Sequence, residues 1–163
     1  PISGGSVVLY FSKVKLTPDP EYLSLFQSEK EKGVNNRETW ERFGREAKVH
    51  REKTLSILNE YSDKKMIGFG ASARSATFMN FCGINSKFLH AVIDNNPIKQ
   101  GYMTPAGDIP IVSFEQGMAL DPEIIFILAW NFKDEIIEQC KRYGFKGDYI
   151  LPFPQHPYII HGE

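Results

Sequence analysis

The sequence is poor in the residues that build metal sites and covalent staples. Of 163 residues only two are cysteine, Cys82 and Cys140, and neither stands in a CxxC spacing. That excludes the common zinc-ribbon pattern and a disulfide framework, and it fits a reducing compartment. The four histidines, His50, His90, His156 and His161, are scattered, and none is at metal-ligand spacing to another histidine or to a cysteine. An excess of charge of either sign is also missing. The net charge of −1 provides no bulk attraction to nucleic acid or to anionic lipid. No apolar run approaches the ~20 residues that a membrane-spanning helix needs. The longest run, residues 124–130, has the length of a buried strand. There is no repeat, no low-complexity stretch and no Ser-His-Asp order or nucleophile elbow. A cytoplasmic protein with no nucleic-acid partner and no membrane partner is therefore expected.

Hydrophobic residues make up 42% of the chain, enough to build a core for one domain of ordinary size. The chain opens on Pro1 with no initiator Met, and residues 2–12 read neither as a signal peptide nor as a tag. A fragment of a longer protein is expected.

Along the chain, Val7-Val8-Leu9-Tyr10-Phe11 is a β-rich run suited to a strand. Thr17-Pro18-Asp19-Pro20 breaks it and starts a helix over 21–32, which Gly33 stops. A long helix follows over 37–61, with Asn36 as its N-cap. Trp40, Phe43, Ala47, His50 or Arg51, Thr54, Leu55 and Leu58 form an amphipathic stripe at three- and four-residue spacing. From Lys64 the pattern changes to alternating strands and helices. Strands are predicted over 66–70, 88–94, 109–112, 124–129 and 148–151, and helices over 75–81, 114–119 and 134–143. Most strands are continuously apolar, as when helices cover both faces of a parallel sheet. The expected fold is α/β: a small doubly wound, mostly parallel, Rossmann-like sheet of about five strands. Residues 1–62 form an N-terminal strand and helical arm, and 63–163 the α/β domain with a Pro-rich tail in which His156 and His161 face solvent.

Ligands of such sheets bind beyond the carboxyl ends of the strands, and three clusters fall there. In Gly68-Phe69-Gly70-Ala71-Ser72-Ala73-Arg74-Ser75, small residues let the backbone approach a ligand, and the following helix start favours an anion. Arg74 and Ser75 add a charged and a neutral donor. The glycine motif is incomplete, with Ala at position 73, and a tight turn that needs small residues for packing explains the pattern equally well. In Asp94-Asn95-Asn96-Pro97-Ile98-Lys99-Gln100-Gly101, Asp94 stands where dinucleotide folds place a ribose-binding acid, or the segment is an ordinary Asn/Pro/Gly turn. In Ala129-Trp130-Asn131, Trp130 is able to stack on a base or sugar and Asn131 to pair with a polar edge, while Asn131 also serves as a cap for the next helix. Cys82, in an apolar helix, reads as a buried small side chain. Asp134 and Glu135 suit a helix amino terminus and receive no catalytic role.

Taken in order, Gly68-Phe69-Gly70-Ala71, Asn80-Phe81-Cys82-Gly83-Ile84, Val92-Ile93-Asp94-Asn95-Asn96-Pro97, Lys99-Gln100-Gly101, Thr104-Pro105, Ile109-Pro110-Ile111 and Leu128-Ala129-Trp130-Asn131-Phe132 closely resemble the C-terminal domain of the S-adenosylmethionine (SAM)-dependent sugar C-methyltransferases. The resemblance runs from about Gly4, whose Gly4-Gly5-Ser6 is similar to the stretch leading into that domain, to Leu151. It implies an acceptor that is a nucleotide-linked deoxysugar, held by a second Rossmann-like unit. It also implies an upstream SAM-binding domain of the same chain, with structural zinc on four cysteines further upstream. On that resemblance the fragment itself binds neither SAM nor zinc and is inactive alone, although the parent protein is an enzyme. The substrate-binding residues it implies are Gly68, Gly70, Ala71, Arg74, Ser75, Asn95, Lys99, Trp130 and Asn131, with no catalytic residue among them. The sequence departs from the family at Ser3 and Val8, where His and Arg are usual, and at Arg74-Ser75-Ala76, where Lys, Gly and Asn are common. Either a different substrate head group or a loss of binding at this position is expected accordingly. Two other readings stay open: an independent NAD(P)- or nucleotide-binding Rossmann domain, and a ligand-free scaffold.

Overall fold

The computed structural model describes residues 8, 10–105 and 107–162. The chain divides into two compact units, Pro1–Lys48 and Val49–Glu163, and the division falls inside a helix. In the first unit, helix α1 spans Pro20–Glu31. The Asp19 side chain caps it by accepting from the Glu21 N–H at 2.8 Å, and Gly33 leaves it with a left-handed φ of +62°. Helix α2, Arg37–Glu60, begins in this unit. Gly4-Gly5-Ser6, Val7 and Leu9 lie outside the described residues. Val8, Tyr10 and Phe11 are exposed and form no strand, contrary to expectation. A β-rich run without a pairing partner leaves its backbone donors unsatisfied, so propensity alone does not make it a strand.

In the second unit the end of α2 packs on a six-stranded sheet. The strands are β1 (Met66–Phe69), β2 (Val92–Ile93), β3 (Ile111–Val112), β4 (Ile124–Ile127), β5 (Asp148–Leu151) and β6 (Tyr158–Ile160). Their order across the sheet is β3-β2-β1-β4-β5-β6. The first five are parallel, and β6 runs antiparallel to β5. Helix α3 is Ala73–Cys82, α4 is Phe114–Met118 and α5 is Lys133–Tyr143. This is the doubly wound, Rossmann-like architecture expected, with one strand more. β6 falls in the Pro-rich tail, where three β-formers find the open edge of β5.

Strand alternation sorts the core into two layers. Met66, Val92, Ile124, Phe126 and Ile150 face α2 and α3, where Leu58, Met79 and Cys82 meet them. Ile67, Ile93, Ile125, Ile127 and Tyr149 face α4 and α5, where Met118, Ile136 and Cys140 meet them. Burial on both faces explains why β1 and β4 are apolar throughout. The expected strand 88–94 contracts to Val92–Ile93, because the N–H groups of Phe88 and Leu89 bond back to the Asn85 carbonyl in a turn. The expected α2 stripe divides in the same way. Thr54 and Leu58 are buried, whereas Trp40 and Phe43 are exposed. Among the described residues no helix is long and apolar enough to cross a membrane.

Leu58 is fully buried although it lies on a helix whose amino-terminal part belongs to the other unit. Leu58→Ala is expected to cost about 3 kcal/mol, read as a lower midpoint in urea unfolding. An exposed control such as Val49→Ala is expected to stay within about 0.5 kcal/mol of the parent.

Candidate functional site

Strand order reverses at β1, which has β2 on one side and β4 on the other. A crevice is expected between the loops that leave β1 and β4, since one turns toward each half of the sheet. Gly70, with φ +104°, begins the β1 loop. A Cβ there would sit 2.5 Å from the Ala129 Cβ. The two loops therefore touch, and only glycine fits. Ser72 then caps α3, its Oγ accepting from the Ser75 N–H at 3.1 Å. The amino end of α3, the positive end of its dipole, starts at this crevice.

The β2 loop is joined to the glycine turn by Asp94. Its Oδ2 accepts from the Ala71 N–H and from Lys99 Nζ, each at 2.9 Å, and Oδ1 accepts from the Asn96 N–H at 2.9 Å. Lys99 Nζ also donates to the Ala71 carbonyl at 2.9 Å, and the Gln100 amide donates to the Asp94 carbonyl at 3.0 Å. The carboxylate is thus engaged on both oxygens within the chain, and its side chain is 12% exposed. It is not held out toward a ribose.

The β4 loop holds Trp130, Asn131 and Phe132 in a 3-10 turn. Asn131 does not cap α5, contrary to expectation. The cap position is Phe132, with no side-chain bond, because the 3-10 turn runs directly into α5. Trp130 is partly exposed, with its ring centroid 6.0 Å from that of Phe153. Phe153 follows β5 and stacks on His50 of α2 at 4.9 Å and 11°, with Phe78 of α3 at 5.0 Å. The sequence reading missed Phe153 because it sits among prolines. An aromatic residue just past a predicted strand was the available signal.

The residues singled out from sequence therefore separate. Gly70, Ala71 and Lys99 meet at the turn, and Trp130 and Asn131 follow Ala129, which touches Gly70. Arg74 is exposed in the first turn of α3, and Asn95 is exposed in the β2 loop. Gly68 is buried inside β1 between Leu128 and Val92. Ser75 is buried, its hydroxyl 2.8 Å from that of Ser72. Both thiols are buried, and burial pushes Cys82 up to about 11 and Cys140 up to about 12, so neither is an activated nucleophile. A cavity of about 550 Å³ opens at the opposite end of the sheet, among Tyr61, Lys64, Tyr143, Phe145 and Asp148, away from the crevice. His161, exposed as expected, also approaches Asp148, with Nδ1 3.3 Å from Oδ2.

Over residues 1–154 the chain matches the model of the C-methyltransferase C-terminal domain. The chain belongs to that family. It is 27% identical over 167 residues to C-methyltransferase NovU of Streptomyces niveus, an alignment covering 99% of this chain and 40% of that protein. The chain therefore spans less than half the length of this curated relative. In this C-methyltransferase C-terminal domain the matched region takes in the glycine turn, the Asp94 network and the β4 loop.

Two outcomes follow from the geometry. Asp94→Ala strands the Ala71 and Asn96 N–H groups and the Lys99 ammonium, so it is expected to cost about 2–3 kcal/mol. Lys99→Met keeps the stem and both backbone bonds to Asp94 and is expected to cost about 1 kcal/mol or less. Equilibrium unfolding checks that order, and amide exchange at Ala71 should quicken in Asp94→Ala. His50 has its pKa held below its ordinary value of 6.5. Burial sets that direction, the Gln155 backbone opposes it, and the charges of His156 and Lys53 add to it. A group depressed on folding contributes stability above its unfolded pKa and loses it as pH falls through the folded value. Melting temperature should therefore drop more between pH 7 and pH 5 in the parent chain than in His50→Phe, which keeps the stack on Phe153.

Proposed function

We propose that this domain holds the acceptor substrate, a nucleotide-linked deoxysugar, for a SAM-dependent C-methyltransferase whose methyl donor is bound by another part of the same protein. The observation that carries the reading is the contact of Gly70 with Ala129 at the point where strand order reverses. It leaves a helix amino terminus with Arg74 in its first turn on one side and Trp130 with Asn131 on the other. The first of these suits a diphosphate and the second a ring and its polar edge. Family membership and the C-methyltransferase activity in the relative's name support the reaction class.

On this reading the whole protein moves a methyl group to a sugar carbon beside a carbonyl, after a base removes the α proton. SAM supplies the methyl group when bound. This domain's part is to hold the acceptor in reacting geometry, which contributes to rate by converting an encounter into an intramolecular step. The sugar and the reacting centre belong at the joint with the donor-binding part, in the cytoplasm. The independent dinucleotide reading is disfavoured by the engagement of both Asp94 oxygens inside the chain.

Thermal unfolding of the chain with nucleoside diphosphates, SAM and NAD, each at millimolar concentration, tests this. A nucleoside diphosphate at 100 times its Kd stabilises by about 2.7 kcal/mol, which is roughly 5–10 °C for a domain of this size. Arg74→Ala should remove most of that shift. A response to NAD alone would favour the dinucleotide reading, and no response to any ligand would favour a scaffold.

A further inference from the structure

We propose that Trp130 and Phe153 form a stacking subsite for a planar ring, so that residues 153–156 of the C-terminal tail belong to the binding site. The proposal rests on the functional reading above, in which the ring is the nucleobase of the acceptor. Pro152 and Phe153 leave β5 at the same end of the sheet at which Ala129 and Trp130 leave the neighbouring β4. The two rings meet at 6.0 Å with a 50° tilt and are not stacked on each other.

Phe153 is held from behind. His50 lies flat against it, Phe78 packs on its flank, and Phe78 in turn rests on buried Phe126 at 6.5 Å. This column runs from the core to the rim and limits the freedom of the Phe153 ring, which is the preorganisation that a stacking site requires. Trp130 and Phe153 each keep part of their surface exposed, although the column behind them is closely packed. Beyond Phe153 the chain continues through exposed Gln155 and His156, with His156 Nδ1 3.5 Å from Lys53 Nζ. Polar groups therefore border the rim next to its apolar floor. A flat ring with hydrogen-bonding edges fits that combination better than a sugar, which has no extended π face. The rim adjoins the Gly70–Ala129 contact and hence the start of α3, so one ligand carrying a ring and a diphosphate spans both.

The test uses the 163-residue chain carrying Trp40→Phe, which leaves Trp130 as the single tryptophan. Its fluorescence is titrated with UDP, TDP, CDP and GDP, and calorimetry compares these with inorganic pyrophosphate, which has the anion but no ring. At least one nucleoside diphosphate is expected to quench Trp130 and to bind at least about tenfold tighter than pyrophosphate, the size of one good base–aromatic contact. Phe153→Leu, which keeps apolar bulk but loses the π face, should weaken the nucleoside diphosphate by about the same factor and leave pyrophosphate unchanged. Phe153→Tyr, which keeps the π face, should preserve both affinities and guards against mistaking a misplaced tail for a lost stack. Equal binding of pyrophosphate and every nucleoside diphosphate would overturn the stacking subsite while leaving the anion site standing. Failure of all of them to bind would overturn both.

Discussion

Gly70 has no side chain where Ala129 stands, and the carboxyl end of the sheet is arranged around that contact. The two residues leave adjacent strands that lead to opposite halves of the fold. A Cβ at Gly70 would lie 2.5 Å from the Ala129 Cβ and would need a left-handed backbone as well. Both steric demands exclude other residues. Because the loops meet here, the start of α3 and the Trp130 turn adjoin one another instead of forming two separate surfaces. It is the feature on which the proposed acceptor-binding role rests.

The charged groups near that contact brace the turn. Asp94 and Lys99 are the obvious candidates for ligand contacts in a loop beyond a strand, yet they bond to each other and to the N–H and carbonyl of Ala71. A carboxylate this engaged has little capacity left for a hydroxyl group, and breaking the network would leave several donors unpaired at once. In the proposed reading, ligand recognition is assigned to less conspicuous groups. These are the helix start with Arg74, the amide of Asn131, and aromatic rings supported from the core through Phe78 and Phe126.

Much of the fold was legible because parallel strands covered on both faces must be apolar along their whole length. Met66–Phe69, Ile124–Ile127 and Asp148–Leu151 emerged close to their predicted bounds for that reason. Strands that depend on a partner were less legible. The run at 88–94 keeps only Val92–Ile93 as strand, β6 exists because β5 has a free edge, and Val8, Tyr10 and Phe11 form no strand. At the site, the glycine turn and Trp130 could be read from residue type. The roles of Asp94, Phe153 and His50 could not, since they hinge on the Asp94–Ala71 and Phe153–His50 contacts, 23 and 103 positions apart along the chain.

By itself the sequence determined the α/β class, the strands of the sheet centre, the family, and the small-residue turn at the carboxyl end of β1. Each of these is a local pattern or a string of short motifs, and local patterns do not require a known pairing. Tertiary structure decided which polar groups are consumed internally, which aromatics form a rim, and where the last strand pairs. Those outcomes depend on through-space distances of 3–6 Å between distant segments. Chain order does not encode such distances until the sheet has assembled.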